Sequence, residues 1–307
     1  MKTLSLIVML LVLDATSVWA VEPTTGALLE IQAAAERGEG DGRFQLARVY
    51  LHGNGVPKNP AKSLELMRVA AEQGHADAIG GIGYFYSNGM TVEKNESEAA
   101  SWFRKGAEKG SAKAQLNLAN LLLAGKENGL PDGAAAKSPE EMRAEGLQWL
   151  TKSANQDLPD ATLVYGSVLY FGEYGVARDY GKAAPYLKIA AESGSAEAQN
   201  TFGLMNQMGL GMNEDAKAAE LWFRKAALDG HLKAQSNLGR LLNPLANDKA
   251  TRIEALGWLV IASGRGEVTA TKSLEDVVPG LKEGELDEAK QKATELRKLI
   301  RKKQRRA

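Results

Sequence analysis

The chain has 307 residues, 44% of them hydrophobic and 25% charged, with 38 basic residues balancing 38 acidic ones. The composition is ordinary for a folded protein, and zero net charge excludes a global field that would draw nucleic acid or a membrane. With no cysteine in the chain, disulfides, thiolate metal sites and a cysteine nucleophile are excluded as well.

The first predicted segment is residues 1–20. Lys2 precedes an apolar run from Leu4 to Leu13, and Val18-Trp19-Ala20 offers small residues for cleavage. This is the pattern of a secretory signal peptide. The run is shorter than the ~20 apolar residues of a membrane span, so a mature chain from Val21 is expected without an integral span. The expected location is exported: periplasmic, or secreted beyond.

From Thr25 onward a short seam recurs. It reads Ala34-Ala35-Glu36-Arg37-Gly38, Ala70-Ala71-Glu72-Gln73-Gly74 and Gly106-Ala107-Glu108-Lys109-Gly110. It returns as Ala190-Ala191-Glu192-Ser193-Gly194, Ala226-Ala227-Leu228-Asp229-Gly230 and Ala262-Ser263-Gly264-Arg265-Gly266, with a degraded copy, Ser153 to Asp157. The copies end at 38, 74, 110, 157, 194, 230 and 266, a period of 36 or 37 residues with one insertion. A fixed period of this size signals a stacked repeat array.

One unit, Gly74 to Gly110, serves for all. Ala76, Ala78, Ile82, Phe85 and Tyr86 recur at helical spacing and predict helix A from Asp77 to about Asn88. Gly83 inside it predicts close helix approach, because a mid-helix glycine otherwise costs about 1 kcal/mol against alanine. Gly89 ends the helix in the left-handed conformation. Asn95 caps helix B, with Glu98 completing a capping-box-like pair. Ala99, Trp102, Phe103 and Ala107 form the apolar face of helix B. Nine residues after each seam stands a small residue: Ala47, Gly83, Ala119, Gly166, Gly203 or Gly239. Eight before the next stands a large one: Leu66, Trp102, Trp149, Tyr186, Trp222 or Trp258. The expectation is that ring and small residue pack together, with the tryptophans as core, and that neighbouring units stack because neither helix can bury its face alone.

These residues resemble a known family. Leu46-Ala47-x-x-Tyr50-x-x-Gly53-x-Gly55-Val56, Phe202-Gly203 with Gly209-x-Gly211, and Ala218-Ala219-x-x-Trp222-Phe223-x-x-Ala226-Ala227 are similar to the Sel-one-like repeat, a relative of the tetratricopeptide repeat. The resemblance covers about Ala27 to Gly266 in about six units. It departs at Thr91, which replaces the second loop glycine, at an extra residue near Glu173, and at Leu245, which replaces the first loop glycine. It implies an all-α fold, a right-handed superhelical α-solenoid of stacked antiparallel helix pairs, working as an adaptor or scaffold for other proteins.

Thr25 to Arg37 reads as a lone helix B that caps the array. An insertion near residues 126–137 lies between helices A and B of the third unit, and Ser138-Pro139-Glu140-Glu141 restarts a helix. The solenoid is expected over residues 21–280. Residues 281–307 follow as a C-terminal helix with the basic residues Arg297, Lys298, Arg301, Lys302, Lys303, Arg305 and Arg306, which suit a solvated helix end.

No catalytic constellation stands out. His75 and His231 follow seam glycines and read as helix starts, His52 has no carboxylate companion, and no histidine pair has metal-ligand spacing. No catalytic residue, metal or cofactor is expected. In the tetratricopeptide relatives, resemblance implies a concave face lined by residues one, four and five after the small residue and three before it. Here that gives Arg48, Tyr84, Asn88, Asn120, Ser167, Tyr170, Asn200, Gln207 and Arg240, with Phe44, Leu51, His52, Ser87, Leu116, Leu163, Phe171, Leu204, Met208, Ser236 and Asn243. Part of the set can instead be buried between units. Aromatic anchors mixed with amides suit a peptide or protein segment better than nucleic acid. The expected function is a non-enzymatic interaction scaffold of the bacterial cell envelope. The alternatives are cell-wall (peptidoglycan) binding and β-lactam hydrolysis, the latter resembling cysteine-rich relatives and so poorly matched here.

Overall fold

The computed structural model describes residues 25–125, 138–245 and 248–305. The signal-peptide segment, Val21, the 126–137 insertion and Arg306 lie outside them. Among the described residues the regular elements are all helical. They are α1 (Thr25–Glu36), α2 (Gly40–His52), α3 (Pro60–Glu72), α4 (Ala76–Asn88), α5 (Glu96–Glu108), α6 (Ala112–Leu123), α7 (Pro139–Ala154) and α8 (Pro159–Phe171). Then come α9 (Tyr180–Glu192), α10 (Ala196–Met208), α11 (Ala216–Leu228), α12 (Leu232–Leu245), α13 (Lys249–Ser263), α14 (Val268–Val277) and α15 (Glu285–Gln304). From α2 to α13 they form antiparallel A/B pairs of the solenoid class, with α1 as the unpaired B helix. Packing contacts divide the described residues into two compact units, one up to Val164 and one from Tyr165, with the boundary inside α8.

The seam explains the period. The alanine that opens it is buried, as at Ala70, Ala190 and Ala226, each at 0% exposure. The residue that closes it is left-handed throughout: Gly38, Gly74, Gly110, Gly194, Gly230 and Gly266 have φ between 83° and 99°, and Asp157 has φ 56°. In the first full repeat the Gly74 N–H donates to Ala71 O and the His75 N–H to Ala70 O, which satisfies the last carbonyls of α3. The next residue caps helix A. His75 and His231 accept through Nδ1, and Ser111 and Ser195 through Oγ, from the N–H three residues on. The two histidines are helix starts, as expected. Helix B is capped in turn by Asn59, Asn95, Ser138, Asp179, Asp215 and Asp248, and Ser138 with Glu141 completes a capping box.

The small residue on helix A does mark close approach, but its partner is not the expected ring. A Cβ on Gly83 would lie 2.7 Å from the Phe103 ring, and one on Gly203 would lie 2.6 Å from Phe223. Gly166 and Gly239 meet Leu187 and Leu259 in the same way. The partner is therefore the residue after the expected Trp or Tyr, turned about 100° round the helix toward its own pair. Trp102 and Trp149 remain half-buried on the outer side, under Lys105 and Lys152 at 4.6 and 4.1 Å from the ring centroids. Trp258 alone is fully buried among the tryptophans of this position.

In the second unit α15 accounts for that burial. Its stripe Ala289, Ala293, Leu296 and Ile300 is buried, and the last three join one cluster with Ala226 and Ala227 of α11 and Trp258 and Ile261 of α13. Ion pairs Arg252–Glu285 at 3.1 Å and Lys303–Asp229 at 2.5 Å hold its two ends. The C-terminal helix is thus a docked element lying in the outer groove between two B helices. Of its basic residues Lys303 is engaged with the fold, rather than solvated as the sequence suggests.

Candidate functional site

In the first unit the A helices α2, α4 and α6 carry the expected face. Phe44 stacks on His75 at 4.6 Å, and the Arg48 guanidinium lies 5.9 Å from the Phe44 ring while donating to Gln45 Oε1 at 3.0 Å. Burial pushes Arg48 below the usual arginine range, opposed by the charge of Asp77. Tyr84 is half-buried. Asn88 is exposed, and its amide donates to Tyr84 O at 2.9 Å and Ser87 Oγ at 3.0 Å. Burial, with help from Arg48 and Lys58, pushes the His52 imidazole down, so it is neutral at physiological pH and a weak base. Asn120 is not on an open face. It is 6% exposed, and its Oδ1 has no hydrogen-bond partner among the described residues.

In the second unit Ser167, Gln207 and Asn243 are half-buried and Arg240 is exposed. Asn200 is also a correction. It is 6% exposed, and its Oδ1 accepts from Asn237 Nδ2 at 2.9 Å, tying α10 to α12. Ser236 is likewise buried, against Thr269 of α14 at 3.2 Å. Stacking of A helices covers these positions, because three residues before the small residue points at the next helix rather than away from it.

Tyr170 anchors an aromatic cluster that the sequence shows only in part. It lies edge-on to Phe171 at 4.8 Å and to Tyr180 at 5.2 Å, and Arg178 covers Tyr180 at 5.7 Å. Burial and the neighbouring Tyr180 raise the Tyr170 phenol, so it stays a neutral donor. The α8–α9 loop behind it holds Tyr174 at φ 53°, the left-handed region that glycine occupies more readily. This loop contains the extra residue near Glu173 and absorbs it locally: the Asp179 N–H donates to Leu169 O just as Asn59, Asn95 and Asp215 donate to Tyr50 O, Tyr86 O and Asn206 O, so α9 starts in the usual register with Tyr180 beside Tyr170. Tyr180 is the first residue of α9, and only the folded pairing of α8 with α9 sets it beside Tyr170.

A second concavity lies on the outer side of the first unit. A cavity of about 650 Å³ is lined by Ile79, Ile82 and Tyr86 of α4, with Arg68 on α3 and Trp102 and Lys105 on α5. Sequence reasoning assigned Trp102 to the core and missed this groove. Among the described residues no group of three His, Cys, Asp or Glu side chains could hold a metal ion, and no helix is long and apolar enough to cross a membrane.

Stacked A/B pairs with left-handed seams and a mixed aromatic–amide face define a helical repeat scaffold. The Sel1 repeat profile matches residues 40–75, 76–111, 112–158, 159–195 and 196–231, and the chain belongs to the Sel1 repeat family, whose repeats mediate protein–protein interaction. The sixth pair, α12 and α13, repeats the same packing beyond the matched residues. A Sel1 repeat protein from Oxalobacter formigenes shares the fold with a TM-score of 0.58 and 23% identity, over 78% of this chain and 99% of that one. An uncharacterised protein of Neisseria meningitidis serogroup B is 28% identical over 133 residues, 43% of this chain and 27% of its own. Chitin synthase regulatory factor 3 of Schizosaccharomyces pombe is 33% identical over 91 residues, 29% of this chain and 10% of its own. The chain therefore spans about a quarter and a tenth of the length of these two relatives.

Proposed function

We propose that the protein is a non-enzymatic scaffold of the bacterial cell envelope that holds a segment of a partner protein on its A-helix faces. The observation that carries this is the surface chemistry of those faces. Arg48, Tyr84 and Asn88 in the first unit, and Tyr170, Gln207 and Arg240 in the second, leave aromatic, amide and guanidinium groups partly or fully accessible. Aromatic and arginine side chains are the usual anchors of protein interfaces, and amides satisfy the backbone of an extended segment. The envelope location rests on residues 1–20, whose order of charge, apolar run and small residues is that of a secretory signal. Cell-fractionation of a C-terminally tagged full-length chain tests the location, and N-terminal sequencing tests cleavage before Val21. In-cell cross-linking with mass spectrometry tests the binding face. A discrete protein adduct should weaken on Tyr84→Ala and Tyr170→Ala, and an adduct unchanged in both variants would refute the assignment.

A further inference from the structure

The outer groove of the first unit and the seat of α15 are the same site in two repeats. The seam glycines Gly74 and Gly230 are 156 residues apart. At that spacing α3, α4 and α5 correspond to α11, α12 and α13, and Trp102 to Trp258. In the second unit the groove is filled by a helix, and Trp258 is fully buried; in the first unit Trp102 is half-buried. The floor is more apolar in the open groove. Ile79 stands where Gln115, Gln199 and Gln235 donate to the carbonyl of the preceding B helix. The rim is also unpaired. Arg104–Glu145 and Arg224–Glu254 bridge successive B helices, whereas the equivalent Arg68 and Glu98 form no ion pair among the described residues.

The charges decide which helix fits. Glu285 and Glu288 near the start of α15 pair with Arg252 and Lys249. The corresponding residues at the open groove are Glu96 and Glu93, with Lys94 3.9 Å from Glu96, so this end carries net negative charge; Arg68 corresponds to Arg224, which meets Glu254 midway along the groove, and Lys105 and Lys109 stand at the far end beside Glu72 and Glu108. A helix seated like α15 would set acid against acid. A helix with acidic residues first and basic residues last, the order its own dipole favours, fits when it runs the other way. We infer that this groove docks an amphipathic helix of a partner protein, antiparallel to α5, with a stripe of small and branched apolar residues against the half-buried Tyr86 and Trp102, over a floor closed by the buried Ile79 and Ile82. The chain's own α15 is already seated on α11 and α13, which leaves its apolar stripe unavailable to a second copy. The surface is separate from the A-helix faces and does not depend on them.

The probe is a fluorescein-labelled synthetic peptide of residues 285–304, with a benzophenone in place of Leu296, added to the full-length chain at low salt. A second peptide keeps the apolar stripe and exchanges the charged ends. The first peptide should bind saturably and cross-link within residues 68–109. The Glu93→Lys/Glu96→Lys variant, checked for unchanged helicity, should weaken it about tenfold and strengthen the exchanged peptide, since rim charges select orientation. Cross-links confined to residues 224–265 would show exchange with the chain's own helix and overturn the inference. So would equal binding of both peptides, no binding, or self-pairing of the chain by light scattering.

Discussion

His231 makes stability depend on pH in a way one substitution removes. Its Nδ1 accepts from the Ala234 N–H at 3.2 Å and caps α12. Burial, reinforced by Lys233 and Arg265, lowers its pKa from 6.5 to about 4. Above 6.5 the imidazole is neutral in both folded and unfolded chains, so its contribution is fully present. As pH falls from 6.5 toward 4 the unfolded chain takes up a proton that the folded chain refuses, and stability is lost. A shift of that size corresponds to about 3 kcal/mol in full, and about 2 kcal/mol of it is lost by about pH 5. Serine caps the equivalent helix starts at Ser111 and Ser195, so His231→Ser retains a cap and removes the titration. Urea unfolding of both proteins, followed by tryptophan fluorescence at about pH 7.5 and about pH 5, isolates the difference because every other group titrates in both. The variant should match the parent within about 1 kcal/mol at the higher pH and be about 2 kcal/mol less acid-sensitive. Equal acid sensitivity of the two proteins would refute the reasoning.

Other substitutions test the packing. Gly203→Ala places a methyl 2.6 Å from the Phe223 ring and should destabilise by about 1–3 kcal/mol, despite alanine's better helix propensity; Phe223→Leu in the same chain should recover part of the loss in a thermal melt. Thr91 holds φ 59° on an exposed loop, so Thr91→Gly should raise the melting temperature, by roughly 1 kcal/mol of relieved strain. The equivalent Gly211 has φ 71° and would bring a Cβ within 2.4 Å of the Tyr180 backbone, so Gly211→Ala should lower it. Leu296→Asp should release α15 and expose Trp258, seen as a red shift in fluorescence; an unshifted spectrum would show that α15 is not what buries the ring.

The repeat was legible because its signals are local. A left-handed seam, a cap one residue later and a buried alanine recur within five residues, and all reappear in the helices. Asp157 even keeps the left-handed turn where glycine was lost. The ring partner of the small residue was missed because Trp102 and Phe103 are adjacent, and one step along a helix exchanges the inner side for the outer. Asn120 and Asn200 stand at positions that the sequence leaves open between a concave face and burial between units, and only the folded stack shows them buried. The outer groove was hidden because it is defined by what fills it elsewhere: only the seating of α15 on Trp258 gives the open face around Trp102 a meaning.

The A-helix faces are proposed to hold a partner protein. The direct measurement is photo-cross-linking in cells, with a photoreactive amino acid placed at Tyr84, at Tyr170 and, as a control, at the exposed Leu221 of α11. One discrete protein adduct shared by the first two positions and absent from the third is expected. Adducts of the same protein at all three positions, or at the control alone, would contradict it.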